Sequence, residues 1–406
     1  MWRYESNHQR GETEYFDTAI RRLESDFALS NQAEAILRAV KEAEPLLAEA
    51  FKTPQSPIYH AEGPVVEDHL RLMLTVLYGL SEEKFHLIDV EEFRRLRGYE
   101  GEIDEMEEII KENISLFEVY VLAHDAAKWA TCSFSAPKGS RGEALGFDLG
   151  YEMSQHQLRD SERAKIRQRY LELYHEFASL HPNESQTFVQ SQFFLTYRIE
   201  VRYPGHGRAI RTPVFRQLLH RLAKAHRLPD RDLFLLEDLI VHHMKVLHDF
   251  RQVNPSGIGI YLKIAKQRGY DGDDWLDLLQ AAMFLDIVCG SKRRSAHGTW
   301  HEVDLIVNFL RSEHDYDPQK RVKKEEVRHL EQEKARQVLF RQAGLDGIGL
   351  MELLDLEPGP DLGKTLKKIQ AAVLGQGQLP HFDELIDKDL SNRVEKFYKL
   401  SFNKEL

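Results

Sequence analysis

The feature that most constrains this chain is a helical hydrophobic period that persists through nearly all of its length. In residues 19–51, Ile20, Leu23, Phe27, Ile36, Leu37, Val40, Leu46, Leu47 and Phe51 recur at three- and four-residue steps. That spacing gathers them on one face of a helix, which must then be covered by another element. Residues 65–80 (VVEDHLRLMLTVLYGL), 114–130 (ISLFEVYVLAHDAAKWA), 233–250 (LFLLEDLIVHHMKVLHDF) and 274–288 (DWLDLLQAAMFLDIV) are long apolar stretches with polar residues set in singly. Alternation of the strand kind is scarce, and residues 193–202 (FFLTYRIEVR) are its best candidate. The pattern predicts an all-α fold.

Punctuation divides the string of helices. Three prolines and a glycine in residues 52–64 mark a break after an N-terminal helical segment, 1–56. A central domain is expected over 57–300. Within it, residues 99–112 are strongly acidic and read as a solvated helix face, and 134–150 are Gly/Ser-rich and read as a loop. Residues 155–185 are charged and helical, a hairpin inside an insertion at about 134–200. From 301 to 406 the sequence predicts a connector helix rich in Lys, Arg and Glu (316–341) and a small C-terminal helical unit with the turn-rich stretch EPGPDLG at 357–363.

Composition then excludes several classes. Among 406 residues there are 55 Lys and Arg against 66 Asp and Glu, a formal charge of −11, which argues against a protein that coats a polyanion. Hydrophobic residues make up 42 %, enough for a buried core. No apolar run approaches the ~18–20 residues of a membrane span. The first residues, MWRYESNHQRGETEYF, lack the apolar segment of a signal peptide, so a cytoplasmic location is expected and no membrane partner. Two cysteines, Cys132 and Cys289, are too few for a disulfide framework or a thiolate zinc site.

The polar residues embedded in the apolar helices carry the chemistry. These are His69, the pair His124–Asp125, the pair His242–His243 and Asp286, to which His206, set between glycines, is added. Burying imidazole or carboxylate costs several kcal/mol unless the group is paired or binds metal. A lone histidine on an apolar helix is more often a satisfied core group than a ligand. Imidazole and carboxylate together, however, suit divalent manganese, iron, cobalt, nickel or zinc, with magnesium a further candidate.

The ordered set His69, His124–Asp125, Asp286 resembles the signature of the HD superfamily of metal-dependent phosphohydrolases. EDHLRLML is similar to that family's first-histidine helix, and LAHDAAK to its HD-x-x-K form, with Lys128 at the recurrent lysine. YPGHGRAI and VHHMKV are similar to the glycine–histidine segment and the paired-histidine helix that follow. The resemblance covers roughly 57–300. It implies an HD-domain helical bundle with helical insertions. His69, His124, Asp125 and Asp286 would hold one metal; His206 and one of His242 or His243 would hold a second, bridged by Asp125. The two adjacent histidines are not distinguished by sequence. Asp125 and Lys128 would be the catalytic residues, and Lys128, Arg208, Arg293 and Arg294 would meet the substrate phosphate. For the run Lys292–Arg293–Arg294 a solvated helix end is an equal reading. His60 is a candidate for a supporting role behind the ligands.

A narrower resemblance joins HAEGPVVEDH, GHGRA and VHHM to the HD domain of some bacterial tRNA nucleotidyltransferases, and 349–370 to the tail that follows it there. Only 56 residues precede the Pro-rich break, and no Gly-Ser or Gly-Gly followed by paired aspartates occurs in them, so nucleotide addition is not implied. Two functions are therefore expected in competition. One is a divalent-metal phosphomonoesterase or phosphodiesterase acting on a phosphorylated small molecule, a nucleotide or an RNA end. The other is a non-catalytic RNA- or protein-binding HD scaffold with a structural metal, using the tail and the basic stretch at 316–341. The charged insertion could also serve as the arm of a homodimer.

Overall fold

The computed structural model describes residues 22–23, 25–57, 60, 62–90, 98–147, 160–289, 293–295, 298–300, 303–317, 330, 333–375, 378–382 and 384–402. Helices dominate it, as the hydrophobic period requires. The chain separates into two compact units, residues 1–316 and 317–406. This differs from the boundaries expected at 56 and 300, because the helices flanking those positions pack into the first unit. Helix α1 (Phe27–Ala43) lies on α3 (Val66–Ser81), and α14 (Val303–Tyr316) lies on α12 (Pro255–Arg268) and α13 (Gly272–Val288).

Each element of the first unit has a local cause. Asp26 caps α1, its carboxylate accepting from the amides of Ala28 and Leu29. Pro45, unable to donate to a continuing helix, ends α1 and opens α2 (Pro45–Ala50) at its first position. The buried face of α1 is Leu29, Ala33, Leu37 and Val40, whereas Phe27, expected inside, is 81 % exposed. Helix α4 (Glu100–Glu112) keeps only Ile103, Met106, Glu107 and Ile110 buried, which gives the solvated acidic face its sequence predicted.

At the centre stand α3, α5 (Ile114–His124), α11 (Asp230–Asp249) and α13. Helix α5 buries Leu116, Phe117 and everything from Val119 to His124; being apolar on all sides, it must be covered on all sides. It packs against α3, α11 and α10 (Pro213–Ala225), while α13 packs against α3, α4 and α11. Each fully buried Leu, Ile or Phe here stabilises the fold by about 1.5–3 kcal/mol. The polar side chains inside this core are therefore held where many such contacts already fix the backbone. Asp238 of α11 is one of them, held by Arg268 Nε (2.9 Å) and the Tyr270 hydroxyl (2.9 Å). Among the described residues no helix is long and apolar enough to cross a membrane.

The insertion folds as a side structure with a core of its own. Strands β1 (Ser133–Ser135) and β2 (Glu200–Arg202) pair antiparallel, Ser133 opposite Arg202, and so close its two ends. Between them, α7 (Asp160–Ser179) and α8 (Gln186–Tyr197) enclose Phe134, Phe147, Tyr170, Tyr174, Phe177 and Phe193. The strand expected over 193–202 is thus only its last three residues. Phe193 and Tyr197, four apart with ring centroids 5.0 Å from each other, share a helix face toward the aromatic core. Arg163 and Arg167 of α7 donate to the carbonyls of Ala130 and Trp129, so the insertion is tied to the segment that follows α5.

The second unit contains α15 (Gly347–Leu354), α16 (Pro360–Val373) and α17 (Glu384–Phe402), with residues 333–343 also helical. Leu345, Leu350, Ile369, Val373, Leu390 and Phe397 form its core. Pro360 of the PGP turn opens α16. Most of the basic connector, 318–329 and 331–332, lies outside the described residues.

Candidate metal centre

Four core helices and two short turns bring the polar residues together. His69 lies in the second turn of α3, and Asp286 near the end of α13. His124 is the last residue of α5, and Asp125 leaves the helix at φ −101°, ψ −2°. The Lys128 amide then donates to the Asp125 carbonyl, starting the short helix α6 (Lys128–Thr131) and folding the ammonium back to 2.6 Å from Asp125 Oδ2. His206 opens the one-turn helix α9 (His206–Ala209). Both glycines of PGHGR have a reason. Gly205 has φ +73°, and a Cβ on Gly207 would stand 3.0 Å from the Ile240 carbonyl oxygen, so only glycine lets α9 close onto α11.

The histidines are fixed in one tautomer by the backbone. Nδ1 of His124 donates to the Val121 carbonyl (2.9 Å), Nδ1 of His206 to that of Tyr203 (3.0 Å), and Nδ1 of His243 to that of Ile240. A carbonyl only accepts, so each Nδ1 carries the hydrogen and each Nε2 presents a lone pair. Those lone pairs have nothing to bond. His124 Nε2 is buried without a hydrogen-bond partner. Nε2 of His206 and of His243 face each other at 3.1 Å, acceptor against acceptor, an arrangement that a cation relieves.

Spacing supports the same reading. Two donors held about 2.0–2.1 Å from one first-row metal, at right-angle to tetrahedral separation, lie roughly 2.8–3.4 Å apart. Here His69 Nε2 and Asp286 Oδ1 are 3.1 Å apart, His124 Nε2 and Asp125 Oδ2 3.4 Å, and His206 Nε2 and Asp125 Oδ1 3.5 Å. Two groups, His69–His124–Asp125 and Asp125–His206–His243, each converge within 4.8 Å and share Asp125. This buried His/Asp cluster could hold a metal ion.

The charges agree. Burial disfavours an ionised Asp125, but the Lys128 ammonium, 2.6 Å away, holds its carboxyl well below the usual range. Burial lowers His124, and burial with the neighbouring His206 and His124 lowers His243 to about 3, so both rings are neutral at neutral pH. His69 goes the other way: burial would lower it, but Asp286 on one side and Glu62 on the other raise it to about 10. Asp286, opposed by burial, is held low by His69, and its side chain keeps 16 % exposure, so solvent reaches the cluster on its side.

The structure brings together His69, His124, Asp125, Lys128, His206, His243 and Asp286. It separates His242, about 100° around α11 from His243. The His242 ring lies against Tyr261 and Trp275, and burial lowers its pKa. Of the pair, His243 is the one that faces the cluster. Arg208 is exposed. Arg293 and Arg294 lie in β3 (Arg293–Ser295), opposite Trp300 and Thr299 of β4 (Gly298–Trp300), and Lys292 lies outside the described residues.

Three residues of the site were not foreseen. Glu62 lies 2.9 Å from His69 Nδ1; Tyr120 stacks on His124 at 5.1 Å; the Tyr203 ring covers Lys128 Nζ at 4.8 Å. The signal for Glu62 was available in HAEGPVVEDH, where a carboxylate stands between the two histidines. The tyrosines carried none, since aromatic residues in apolar helices are ordinarily core. Comparison with protein-family models, with curated proteins and with solved structures finds no match.

Proposed function

We propose that this protein is a divalent-metal-dependent phosphohydrolase of the HD type, cleaving a phosphomonoester or phosphodiester of a nucleotide or an RNA end. The observation that carries the reading is the Asp125 carboxylate shared by two histidine groups, with the Lys128 ammonium 2.6 Å away. The ordered motif set and its resemblance to that superfamily support it. His69, His124, Asp125 and Asp286 would hold one ion, and Asp125, His206 and His243 the other. Bound there, divalent metal supplies Lewis acidity toward a phosphoryl oxygen and acidifies water.

The remaining roles belong to the chain. Lys128, tethered by Asp125 and covered by Tyr203, presents a fixed positive charge to a phosphate as negative charge grows on it. The backbone carbonyls of Val121, Tyr203 and Ile240 keep three imidazoles in the ligating tautomer without reorganisation. Asp286, whose side chain keeps 16 % exposure, would leave its side of the centre open to solvent.

The test is to strip the purified protein with a chelator and return each divalent ion singly, following hydrolysis of phosphomonoester and phosphodiester substrates. Activity should disappear on stripping and return with metal. Undiminished hydrolysis by the stripped protein would end the proposal. The histidine pair gives a second check by elemental analysis. His243→Ala should lower bound metal by about one equivalent, since it removes a donor of one group only, whereas His242→Ala should leave stoichiometry unchanged. Equal loss in both variants would contradict the assignment of His243.

A further inference from the structure

Glu62 stands behind the cluster rather than in it. Its side chain is 1 % exposed, on the loop before α3, and its Oε1 lies 2.8 Å from His60 Nδ1 and 2.9 Å from His69 Nδ1. The His60 and His69 rings meet edge to face, centroids 4.7 Å apart. Gln55 Nε2 reaches the same oxygen at 3.4 Å, while the other oxygen, Oε2, is buried without a partner. A burial this complete is costly for a carboxylate unless cationic or donor groups face it.

His60, Glu62 and His69 also satisfy the spacing of a cation site by themselves. The chemistry of imidazole decides against that. A neutral ring has a single lone pair, and the His69 lone pair is required at Nε2, 3.1 Å from Asp286. Nδ1 must then carry the hydrogen, and the Glu62 carboxylate, 2.9 Å away, pairs with it by charge, outside hydrogen-bond alignment in the metal-free structure. The Nδ1 atoms of His124, His206 and His243 are fixed by carbonyls of their own helices or turns. At His69 no carbonyl does so, and the Glu62 carboxylate is the charge beside Nδ1.

We propose that Glu62 is a positioning residue of the metal centre: its carboxylate fixes His69 in the Nδ1–H tautomer, so that Nε2 ligates beside Asp286, and holds His60 against the His69 ring. This rests on the metal-centre reading given above. Glu62 touches neither ion nor substrate; it acts by orienting a ligand and raising that ligand's basicity.

The experiment is a competition titration of the full chain with zinc(II) and a chromophoric chelator, using wild type, Glu62→Ala and Glu62→Gln, beside thermal unfolding of each metal-free protein. Glu62→Ala should weaken zinc binding on the order of 10–100-fold. Glu62→Gln, which keeps an oxygen acceptor of the same shape, should recover a large part of the affinity. A residue needed only for folding would shift unfolding without this rescue of affinity. In parallel, a long-range proton–nitrogen spectrum of zinc-loaded wild type with labelled histidine should show His69 protonated at Nδ1 and metal-bound at Nε2, a measurement that stands even if Glu62→Ala fails to fold. Zinc on Nδ1, or an affinity unchanged in both variants, would overturn the role of Glu62 while leaving the metal centre intact. Wild-type protein that takes up no zinc would instead remove the metal reading itself.

Discussion

Replacing Asp125 by alanine is expected to empty both halves of the centre together and to lower phosphate-ester hydrolysis by at least about 10²–10³-fold. The expectation follows from sharing. Oδ2 of Asp125 faces His124 Nε2 at 3.4 Å and Oδ1 faces His206 Nε2 at 3.5 Å, so one carboxylate serves both donor groups. No single histidine does that; His243→Ala removes a donor from one group alone. Elemental analysis of the variant beside wild type reads the difference directly.

Loss of activity by itself would leave a second cause open. Lys128 is buried, and in the metal-free protein Asp125 is its ion-pair partner. Removing one member of a buried pair strands the other charge, typically at a cost of about 3–5 kcal/mol. Asp125→Ala should therefore also lower thermal stability in chelator. Replacing both members by uncharged residues, Asp125→Asn with Lys128→Met, removes the stranded ammonium. Buried pairs replaced in this way are often neutral or better for stability. The double variant should regain much of the lost stability and still hold no metal. If it bound metal like wild type, the shared-carboxylate geometry would be wrong; if it regained no stability, the ion pair would not be what Asp125→Ala breaks.

Much of this was legible from sequence because helices write their environment at a period of 3.6. Helices α3, α5, α11 and α13 read as apolar stretches, and the polar residues set in them, His69, His124 and Asp286, are the ones that converge. His242 and His243 could not be told apart, since neither neighbour in a buried helix is marked by composition. Their separation depends on which side α9 and α13 approach, a tertiary fact. Glu62 was missed because it lies in a Pro/Gly-rich loop where a carboxylate is ordinarily solvated. The insertion misled at 193–202 for a related reason: its β-branched and aromatic residues suit a pleated surface, yet a local aromatic core can use them at helical spacing.

The metal-free protein is expected to be most stable near pH 6.5 and to lose stability on both sides, with the alkaline loss abolished by metal. On the alkaline side the group is His69, raised from 6.5 to about 10 by Asp286 and Glu62 against the effect of burial. Between those values the folded protein holds a proton that the unfolded chain has released, so stability is fully present below 6.5 and falls as pH rises toward 10. On the acid side His243, lowered from 6.5 to about 3 mainly by burial, stays neutral while the unfolded chain takes up a proton, so stability falls from 6.5 toward 3. Glu62, lowered from 4.5 to about 2 because His60 and His69 outweigh its burial, adds to the acid loss as pH drops through that interval. The effects at His69 and Glu62 come from one shared interaction and do not add. Each arm should amount to a few kcal/mol, since a tenfold change in proton affinity corresponds to about 1.4 kcal/mol. Metal changes the alkaline arm, because a ligand at His69 Nε2 replaces the proton whose loss causes it. Chemical denaturation in chelator and in excess zinc(II), at matched pH from 6.5 to 10, should give a falling stability in the first series and a flat one in the second. Parallel slopes in the two series would mean that His69 does not exchange its proton for metal.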